Sequence, residues 1–401
     1  MRKVKILGPT DRYNYGDLLF PLIIKKHLAK TGIEVENYAL VDSDLSSYNA
    51  LKTQNITTFY NNLSDNDNIV IAGGESLCAT WGDLYSYLNS SFSRIASPRI
   101  SRALDRRIPI LTAAARKLAR GKTEYPFSFC TDELGVEANI SLNAVGGSAL
   151  STWSDARKAE LARKLSKHEI VSVRDMVTYR ELEKTNILHN LSLHPDTAIL
   201  MKELLGDEMQ KFACSHKNTQ IIGEEYIFFQ VGAEKAESLS VIHSELSKIL
   251  ASTSLDLVLC PIGHAYGHED FKPLGILFDS LTKTYPGRVI FFREMKSVFE
   301  VMHLISKSRC YIGTSLHGAI TALSFGVPYA TFNLKIKKLT SFLQTWGCEG
   351  LKEHFETAKI HKGFSNAIEH RGIDILSGTT ETKKKALQLL NSYTSAASKA
   401  K

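Results

Sequence analysis

The sequence predicts an α/β fold with two Rossmann-like domains that face a cleft, followed by a C-terminal helix. Short apolar runs typical of buried strands alternate with helical patterns along most of the 401 residues. Such alternation favours parallel sheets with helices on both faces. The length exceeds what one hydrophobic core commonly supports, so two domains are expected. A polar stretch at residues 204–223 separates two series of strands and is interpreted as the linker.

The N-terminal series begins with a strand at residues 4–7 and a helix at residues 17–30. Further apolar runs continue the series and predict strands at residues 37–41, 68–72, 108–112, 140–144 and 170–173. We assign this series to a first domain at residues 1–203.

The second series predicts a domain at residues 224–379. Its strands are expected at residues 226–231, 255–261, 289–293 and 310–312, with helices at 238–250, 274–284 and 298–308. A helix and a basic tail are expected at residues 380–401. Ligands of such folds bind at the carboxyl ends of the strands, so the loops after the strands hold the candidate site residues.

Composition and charge exclude several classes of protein. The formal net charge of +7 suits an anionic substrate or an anionic membrane surface, and no nucleic-acid-binding signature accompanies it. No apolar run reaches the roughly 18 residues of a membrane span, and the six cysteines lack CxxC spacing. These features predict a cytoplasmic protein. No GxGxxG loop supports a nicotinamide cofactor, and no cofactor is expected.

Residues 94–122 contain nine basic side chains and one acidic side chain. Two interpretations of this basic stripe remain open. It is either a solvated helix face or a surface for an anionic acceptor or acidic lipid headgroups.

Residues 310–333 are the most informative stretch. A short strand ends in the polar turn Gly313-Thr314-Ser315, and a helix opens at Leu316-His317-Gly318. Serine and threonine cap the free amides of a helix, and a helix N-terminus binds anions. The pattern therefore favours a phosphate or carboxylate site that carries His317. A well-capped core helix with a buried histidine is the alternative.

Polar residues also follow the N-terminal strands. Asp17 is a base or hydroxyl ligand at the cleft, or only a helix cap, in the turn that contains Asn14. Gly74 and Glu75 lie shortly after the strand predicted at residues 68–72. Arg174 ends a strand, where its planar guanidinium suits a carboxylate or phosphate; an internal ion pair is the alternative. Asp196 likewise serves the cleft or caps the helix after it.

The loop at residues 261–270 contains His264 and His268, four residues apart. A metal pair, contacts to substrate hydroxyls and a solvated loop all remain open. Glycines at positions 263 and 267 favour a loop over the helix that a metal pair would require, and no third ligand is evident. No metal is therefore expected.

In this order, four elements resemble the polysaccharide pyruvyl transferase family: Asn14-Tyr15-Gly16-Asp17, Gly73-Gly74, Ser172-Val173-Arg174-Asp175 and residues 313–328. The resemblance implies a two-domain fold similar to the GT-B glycosyltransferases. It further implies transfer of the enolpyruvyl unit of phosphoenolpyruvate onto a sugar of a cell-surface polysaccharide or its precursor, such as a lipid-linked oligosaccharide, to leave a pyruvate ketal. His317 and Arg174 would contact the phosphate and carboxylate of the donor.

The resemblance assigns the acceptor to the N-terminal domain and the donor to the C-terminal domain. His317 and Asp17 are the catalytic candidates, as acid and base. The donor-binding candidates are Arg174, Thr314, Ser315, Gly318 and Arg293. Ser315 stands where better characterised members carry an arginine, and Arg293 or a basic residue from the N-terminal half is expected to replace it. The acceptor-binding candidates are Asn14, Gly74, Glu75 and His264.

Two other functions remain compatible with the sequence. One is a GT-B-type glycosyltransferase that uses a nucleotide sugar. The other is a non-catalytic protein that binds a glycan or an anion, which the serine at position 315 would favour.

Overall fold

The computed structural model describes residues 2–96, 101, 105, 109–215, 225–264 and 269–399. In this part of the chain the strand pairings within the sheets are parallel. Helices pack on both faces of two main sheets. The predicted α/β class with two Rossmann-like domains is therefore confirmed.

The N-terminal sheet has the strand order β3-β2-β1-β4-β5 among the described residues. A parallel pair, β6 and β7, continues it, because bridges join Ser141 to Ile170 and Val145 to Val173. The strands are β1 (Lys3–Leu7), β2 (Glu34–Ala39), β3 (Gln54–Asn55), β4 (Asn68–Ile71), β5 (Asn139–Leu142), β6 (Val171–Val173) and β7 (Leu191–Leu193).

The helices of this half lie between and beside these strands. They are α1 (Tyr15–Ala29), α2 (Ile56–Asn61), α3 (Trp81–Leu88), α4 (Ser90–Ala96), α5 (Ile110–Leu118), α6 (Thr131–Leu134), α7 (Asp155–Leu165), α8 (Met176–Glu183) and α9 (Met201–Ser215). The helix α1 begins where the Asn14 side chain accepts from the Gly16 amide, and its buried face joins the core of the molecule.

The C-terminal sheet has the order β10-β9-β8-β11-β12-β13 among the described residues, which is the Rossmann order. Its strands are β8 (Tyr226–Gln230), β9 (Asp256–Leu259), β10 (Val289–Phe291), β11 (Cys310–Gly313), β12 (Tyr329–Phe332) and β13 (His354–Phe355). Its helices are α10 (Leu239–Ser252), α11 (Phe271–Leu281), α12 (Val298–Lys307), α13 (Leu316–Phe325), α14 (Lys337–Trp346), α15 (Ile360–Ile368), α16 (Gly372–Gly378) and α17 (Thr380–Lys399).

Both sheets reverse their strand order beside their first strand. In the N-terminal sheet β1 lies between β2 and β4, and in the C-terminal sheet β8 lies between β9 and β11. Loops that leave the carboxyl ends of such neighbours separate and open a crevice. The loops after β1, β4, β8 and β11 therefore define where a ligand site is expected.

Two predicted segments differ from the structure. The strand predicted at residues 108–112 is wrong, because residues 110–118 form the helix α5, which buries Ala115. The linker predicted at residues 204–223 is a helix as far as residue 215 and buries Leu204, Leu205 and Met209. Its apolar side packs against the C-terminal domain helix α12 and against α1. Residues 216–224 lie outside the described part of the chain.

Backbone contacts join the two halves beside the crevice. Asn14 and Gly263 form an antiparallel bridge, the Tyr15 amide donates to the Ile262 carbonyl at 3.0 Å, and the His264 amide donates to the Tyr13 carbonyl at 3.2 Å. The helix α17 returns to the N-terminal sheet, where the Tyr393 hydroxyl donates to the Leu142 carbonyl at 3.2 Å. Within the described residues, no helix has both the length and the apolar character needed to cross a membrane.

Asp270 fixes the loop that makes these backbone contacts. One of its carboxylate oxygens accepts from the Ile262 and Gly263 amides at 3.0 and 3.1 Å and from the Gln230 side chain at 2.9 Å. Asp270 is 2% exposed. Burial raises its pKa to about 7 despite the three donors.

We predict that Asp270→Asn changes the pH dependence of stability. Because the folded protein holds the Asp270 proton more tightly than the unfolded chain, this group stabilises the fold at low pH. That contribution is lost as pH rises from about 4 to about 7, by about 1.4 kcal/mol per pH unit. Urea unfolding at several pH values gives the free energy of unfolding of each protein. The difference between the wild type and the variant should change with pH at this slope. Parallel curves for the two proteins would contradict the prediction.

Candidate active site

Loops from both sheets bring ionisable side chains together at the crevice. The N-terminal sheet contributes Asp17 after β1, Glu75 after β4, Arg174 after β6 and Asp196 after β7. The C-terminal sheet contributes two further loops, which contain His317 after β11 and Lys338 after β12. Residues distant in sequence thus meet because the carboxyl ends of parallel strands share one edge.

A buried ion cluster forms the floor of the site. The Arg174 guanidinium is 2% exposed and donates to Asp196 at 3.0 Å and to Glu75 at 2.8 Å. Burial opposes all three charges, but the neighbouring opposite charges prevail. Arg174 lowers the pKa of Glu75, His317 and then Arg174 lower the pKa of Asp196, and the two carboxylates raise the pKa of Arg174. The internal ion pair that the sequence left open is therefore present.

Gly146 allows this cluster to pack tightly. A Cβ atom at Gly146 would lie 2.5 Å from the Glu75 carboxylate and 2.8 Å from the Arg174 guanidinium. The Gly146 amide donates to the Gly74 carbonyl at 2.7 Å, and the Ser148 amide donates to the second Glu75 oxygen. Glu75 is thus held from two sides, which fixes the orientation of the guanidinium.

Asp196 links the ion cluster to His317. One of its oxygens caps the following turn by accepting from the Ala198 amide at 3.0 Å, and the other meets Arg174. The same second oxygen lies 3.4 Å from Nε2 of His317. Asp196 therefore serves both the helix cap and the cleft, the two roles that the sequence left open.

The His317 ring has a fixed orientation. It packs edge-to-face on Phe20, with ring centroids 5.3 Å apart, and a Cβ atom at Gly16 would lie 1.8 Å from its Nδ1. Its Nε2 is buried against Asp196. Nδ1 faces the Gly16 backbone, and the lack of a side chain at Gly16 leaves room for the ring.

Asp17 is the partly exposed carboxyl group beside this histidine. Burial raises its pKa, although the charges of Arg12, His317 and Lys338 oppose the rise. The Gly74 backbone has a φ of +75° and approaches Asp17 so closely that a Cβ atom there would lie 3.3 Å from the carboxylate. A carboxyl with a raised pKa next to a fixed imidazole is suited to proton transfer.

The start of α13 has the geometry expected from its sequence. Ser315 is the N-cap and accepts from the Gly318 amide at 3.3 Å. A Cβ atom at Gly318 would lie 2.2 Å from the Tyr311 hydroxyl, so glycine is required by packing. Thr314 is buried and accepts from the Gly232 amide at 3.3 Å. The Leu316 and His317 amides have no intrahelical acceptor at this position.

Lys338 is a site residue that the sequence did not reveal. It is partly buried, and it forms no hydrogen bond or ion pair within the described residues. Burial lowers its pKa, with Glu75 and Asp17 opposing and Arg174 reinforcing the change. The only sequence signal is its place in the first turn of α14, in the basic run Lys335-Ile336-Lys337-Lys338 after the strand β12.

Other predicted site residues lie elsewhere or act through their backbone. Arg293 follows the edge strand β10 and packs over the Phe278 and Phe291 rings, 5.3 and 5.4 Å from their centroids, so it is not in the cluster. The His264 ring packs on Phe271 and its backbone bonds to Tyr13. Asn14 caps α1.

Two predicted features lie partly outside the described residues. They are His268 and, in the basic stripe, Arg99, Arg102, Arg106 and Arg107. Among the described residues, no group of three or more His, Cys, Asp or Glu side chains is arranged to hold a metal ion.

Comparisons with known proteins identify a family and a fold. A family model described as polysaccharide pyruvyl transferase matches residues 14–334. UDP-GlcNAc 2-epimerase from Neisseria meningitidis, solved with UDP-GlcNAc, has 11% sequence identity and a TM-score of 0.57; the match covers 98% of this chain and 100% of that one. HepE from Anabaena, solved with UDP-glucose, has 9% identity and a TM-score of 0.55 over 99% of each chain.

The UDP-GlcNAc 2-epimerase from Methanocaldococcus jannaschii has 13% identity and a TM-score of 0.52, over 98% of this chain and 100% of that chain. No curated protein matches the sequence. At these identities the structural matches show the fold alone, and they support the predicted GT-B-like arrangement.

We predict that Arg174→Met destabilises the fold by about 3–5 kcal/mol, because the fully buried Asp196 and the partly buried Glu75 would both lose their cationic partner. Urea denaturation monitored by circular dichroism measures the loss. The double variant Arg174→Met with Glu75→Gln should recover part of it, since one of the two unpaired charges is then absent.

Arg371→Met is the matched control. Arg371 pairs with Asp374 at 2.9 Å, but the two side chains are 77% and 51% exposed. Its replacement should cost at most about 1 kcal/mol. Equal losses for the buried and the exposed arginine would show that the ion cluster does not stabilise the fold as described.

Proposed function

We propose a donor and a reaction for this chain, which belongs to the polysaccharide pyruvyl transferase family and is therefore a transferase. The donor is phosphoenolpyruvate, and the product is a pyruvate ketal on two hydroxyls of a saccharide. The family implies a polysaccharide acceptor. The fold supports a site at the crevice, where the loops after β1, β4, β8 and β11 meet.

The observation that carries the proposal is the cation Lys338 at the crevice, within electrostatic range of Glu75, Arg174 and Asp17. Phosphoenolpyruvate has a phosphate and a carboxylate, and its site requires positive charge. Position 315 holds a helix-capping serine where an arginine was expected. Arg174 is already paired with Glu75 and Asp196. Lys338 has no such partner among the described residues, and it lies within electrostatic range of Asp17 and Glu75.

The start of α13 provides a second source of positive potential. The first-turn amides of Leu316 and His317 have no acceptor within the helix, and the helix dipole favours an anion there. Lys235, on the loop after β8, contributes a further positive charge, which helps to lower the pKa of Lys338. Together these groups favour an anion that is doubly charged over a neutral ligand.

The reaction balances without an oxidant or reductant. A proton adds to the methylene carbon of phosphoenolpyruvate, a saccharide hydroxyl attacks the adjacent carbon, and phosphate leaves with the pair of electrons of its C–O bond. A second hydroxyl attacks the same carbon and closes the ketal. Of the two hydroxyl protons released, one balances the proton added to the methylene carbon, and the other is carried away by phosphate.

His317 and Asp17 are proposed to move these protons. Nε2 of His317 is buried against Asp196, so we assign proton transfer to Nδ1. Asp17 retains its proton more readily than an exposed aspartate, since burial raises its pKa. We assign the acid role to His317 and the base role to Asp17. A base with a raised pKa accepts the hydroxyl proton more effectively than an ordinary carboxylate.

Arg174 takes a positioning role in this proposal, in place of the donor contact that the resemblance implies. Its side chain is enclosed by two carboxylates, and the Trp346 indole donates to its carbonyl at 2.7 Å. Arg174 holds Asp196, and Asp196 holds His317. The proposed donor contacts are therefore Lys338, His317 and the start of α13.

Calorimetric titration of phosphoenolpyruvate tests the donor. We predict that Lys338→Ala weakens binding at least tenfold, because a desolvated charge-assisted contact contributes about 1.5–3 kcal/mol. Lys337→Ala is the control, since Lys337 is the exposed neighbour on the same helix turn. It should change affinity less than twofold.

UDP-GlcNAc is titrated in parallel, as the probe for the glycosyltransferase alternative. Binding of UDP-GlcNAc without binding of phosphoenolpyruvate would overturn the proposed donor. Equal affinity of the wild type and Lys338→Ala for phosphoenolpyruvate would overturn the role of Lys338.

We predict that Gly16→Ala lowers the rate of phosphate release by about 100-fold, because displacement of a reacting group by about 1 Å has effects of this size. The added methyl would lie 1.8 Å from Nδ1 of His317, so the ring must move. Gly206→Ala is the control, since a Cβ atom there meets nothing within 4 Å. Full activity of Gly16→Ala would contradict the assigned orientation of His317.

A further inference from the structure

A polar face of the helix α14 contacts the N-terminal domain beside the ion cluster. The helix follows β12 of the C-terminal sheet, and its leucines and phenylalanine are buried. The Ser341 hydroxyl donates to a carboxylate oxygen of Asp175 at 2.9 Å, and both side chains are buried. Asp175 directly follows Arg174 in the sequence. A contact between the domains therefore lies next to the residue at the centre of the ion cluster.

Two further hydrogen bonds join the same two surfaces. The Met176 amide donates to the Thr345 hydroxyl at 3.3 Å, and the Trp346 indole donates to the Arg174 carbonyl at 2.7 Å. Three consecutive residues of the N-terminal domain, 174–176, are thus each bonded to α14. Because the three bonds come from different turns of the helix, they fix both its rotation about its axis and its position along that axis.

Asp175 is itself held firmly by the N-terminal domain. It is the N-cap of α8, where its two oxygens accept from the amide and the hydroxyl of Thr178, each at 3.0 Å. The Thr178 hydroxyl accepts in turn from the Gly147 amide at 3.0 Å. Gly147 follows Gly146, on which the ion cluster packs. Ser341 therefore bonds to an acceptor that is fixed relative to the ion cluster.

Lys338 lies three residues before Ser341 on α14. Residues three apart on a helix share a face, so the bond to Asp175 turns the lysine toward the N-terminal domain. The charged groups within electrostatic range of the lysine agree with this orientation, and they come from both domains: Glu75, Arg174, Asp17 and Lys235. The face of α14 that carries the lysine is therefore the face that the N-terminal domain holds.

We propose that Asp175 and Ser341 are positioning residues for Lys338. Their hydrogen bond keeps α14 at the rotation that places the lysine at the crevice. This inference rests on the proposed function, in which the lysine binds an anionic group of the donor. It also gives adjacent residues of one loop parallel tasks, since Arg174 orients the catalytic histidine through Asp196, and Asp175 orients the donor cation through Ser341.

A double-mutant cycle tests whether Ser341 acts through Lys338. Ser341→Ala should weaken the calorimetric affinity for phosphoenolpyruvate about fivefold, because part of the lysine contact is lost when α14 shifts. In the Lys338→Ala background the same change should alter the affinity less than twofold, since the lysine that it positions is absent. Thr340→Val is the matched control, because the Thr340 hydroxyl has no hydrogen-bond partner within the described residues. It should change the affinity less than twofold.

The pKa of Lys338 gives a second readout, which requires no ligand. In protein with ¹³C-dimethylated lysines, the NMR resonance that is absent from Lys338→Ala reports this group. Burial lowers the pKa of Lys338, so loss of its fixed position in Ser341→Ala should raise that pKa toward the value of an exposed lysine. Thr340→Val should leave it unchanged. A general loss of stability would not select this one resonance.

The two measurements allow the two proposals to fail separately. An unchanged pKa of Lys338 in Ser341→Ala overturns the positioning role. An equal effect of Ser341→Ala on affinity in the wild-type and Lys338→Ala backgrounds also overturns it. Failure of the wild type to bind phosphoenolpyruvate, together with a raised pKa of Lys338 in Ser341→Ala, overturns the donor and retains the positioning of the lysine.

Discussion

Arg174 is a permanent positive charge enclosed between Glu75 and Asp196, and the orientation of the active site depends on it. Enclosing a guanidinium is costly unless both sides of its planar fork meet an anion. Asp196 also holds His317. The carboxylate that neutralises Arg174 is therefore the one that orients the candidate catalytic ring. Stability and function thus share one carboxylate.

The second constraint is the seam of main-chain hydrogen bonds between the domains. Residues 13–15 from the first loop of the N-terminal sheet pair with residues 262–264 from the C-terminal sheet. Because Tyr15 and Gly16 begin the helix α1, the same seam fixes the glycine on which the His317 ring packs. The site is therefore assembled at the contact between the domains, with the ring from one domain seated on the backbone of the other.

Much of the fold could be predicted from the sequence because parallel strands are nearly continuous apolar runs. The strands at 4–7, 68–72, 140–144 and 226–231 were recognisable in this way. The strand predicted at residues 108–112 is wrong because the apolar Ile110 and Leu111 resemble a strand, whereas the alanines after them continue a helix. Asp196 and Arg174 were found as candidates, but their pairing depends on two strand ends 22 residues apart. Lys338 could not be found, since a lysine in a basic run looks like a solvated surface until the fold places it beside Asp17 and Glu75.

Under the proposed function, a cation from a second loop would compensate for the serine that caps α13. Lys338 approaches from the neighbouring strand β12, on the turn that opens α14. Lysine carries a compact charge on a flexible stem, and burial lowers its pKa, so it adjusts to a ligand where a planar guanidinium requires a fixed fork. The helix start keeps its serine cap, and the positive charge comes from a second loop. On this view the family's donor chemistry requires positive charge at the crevice, and either of two adjacent strand ends can provide it.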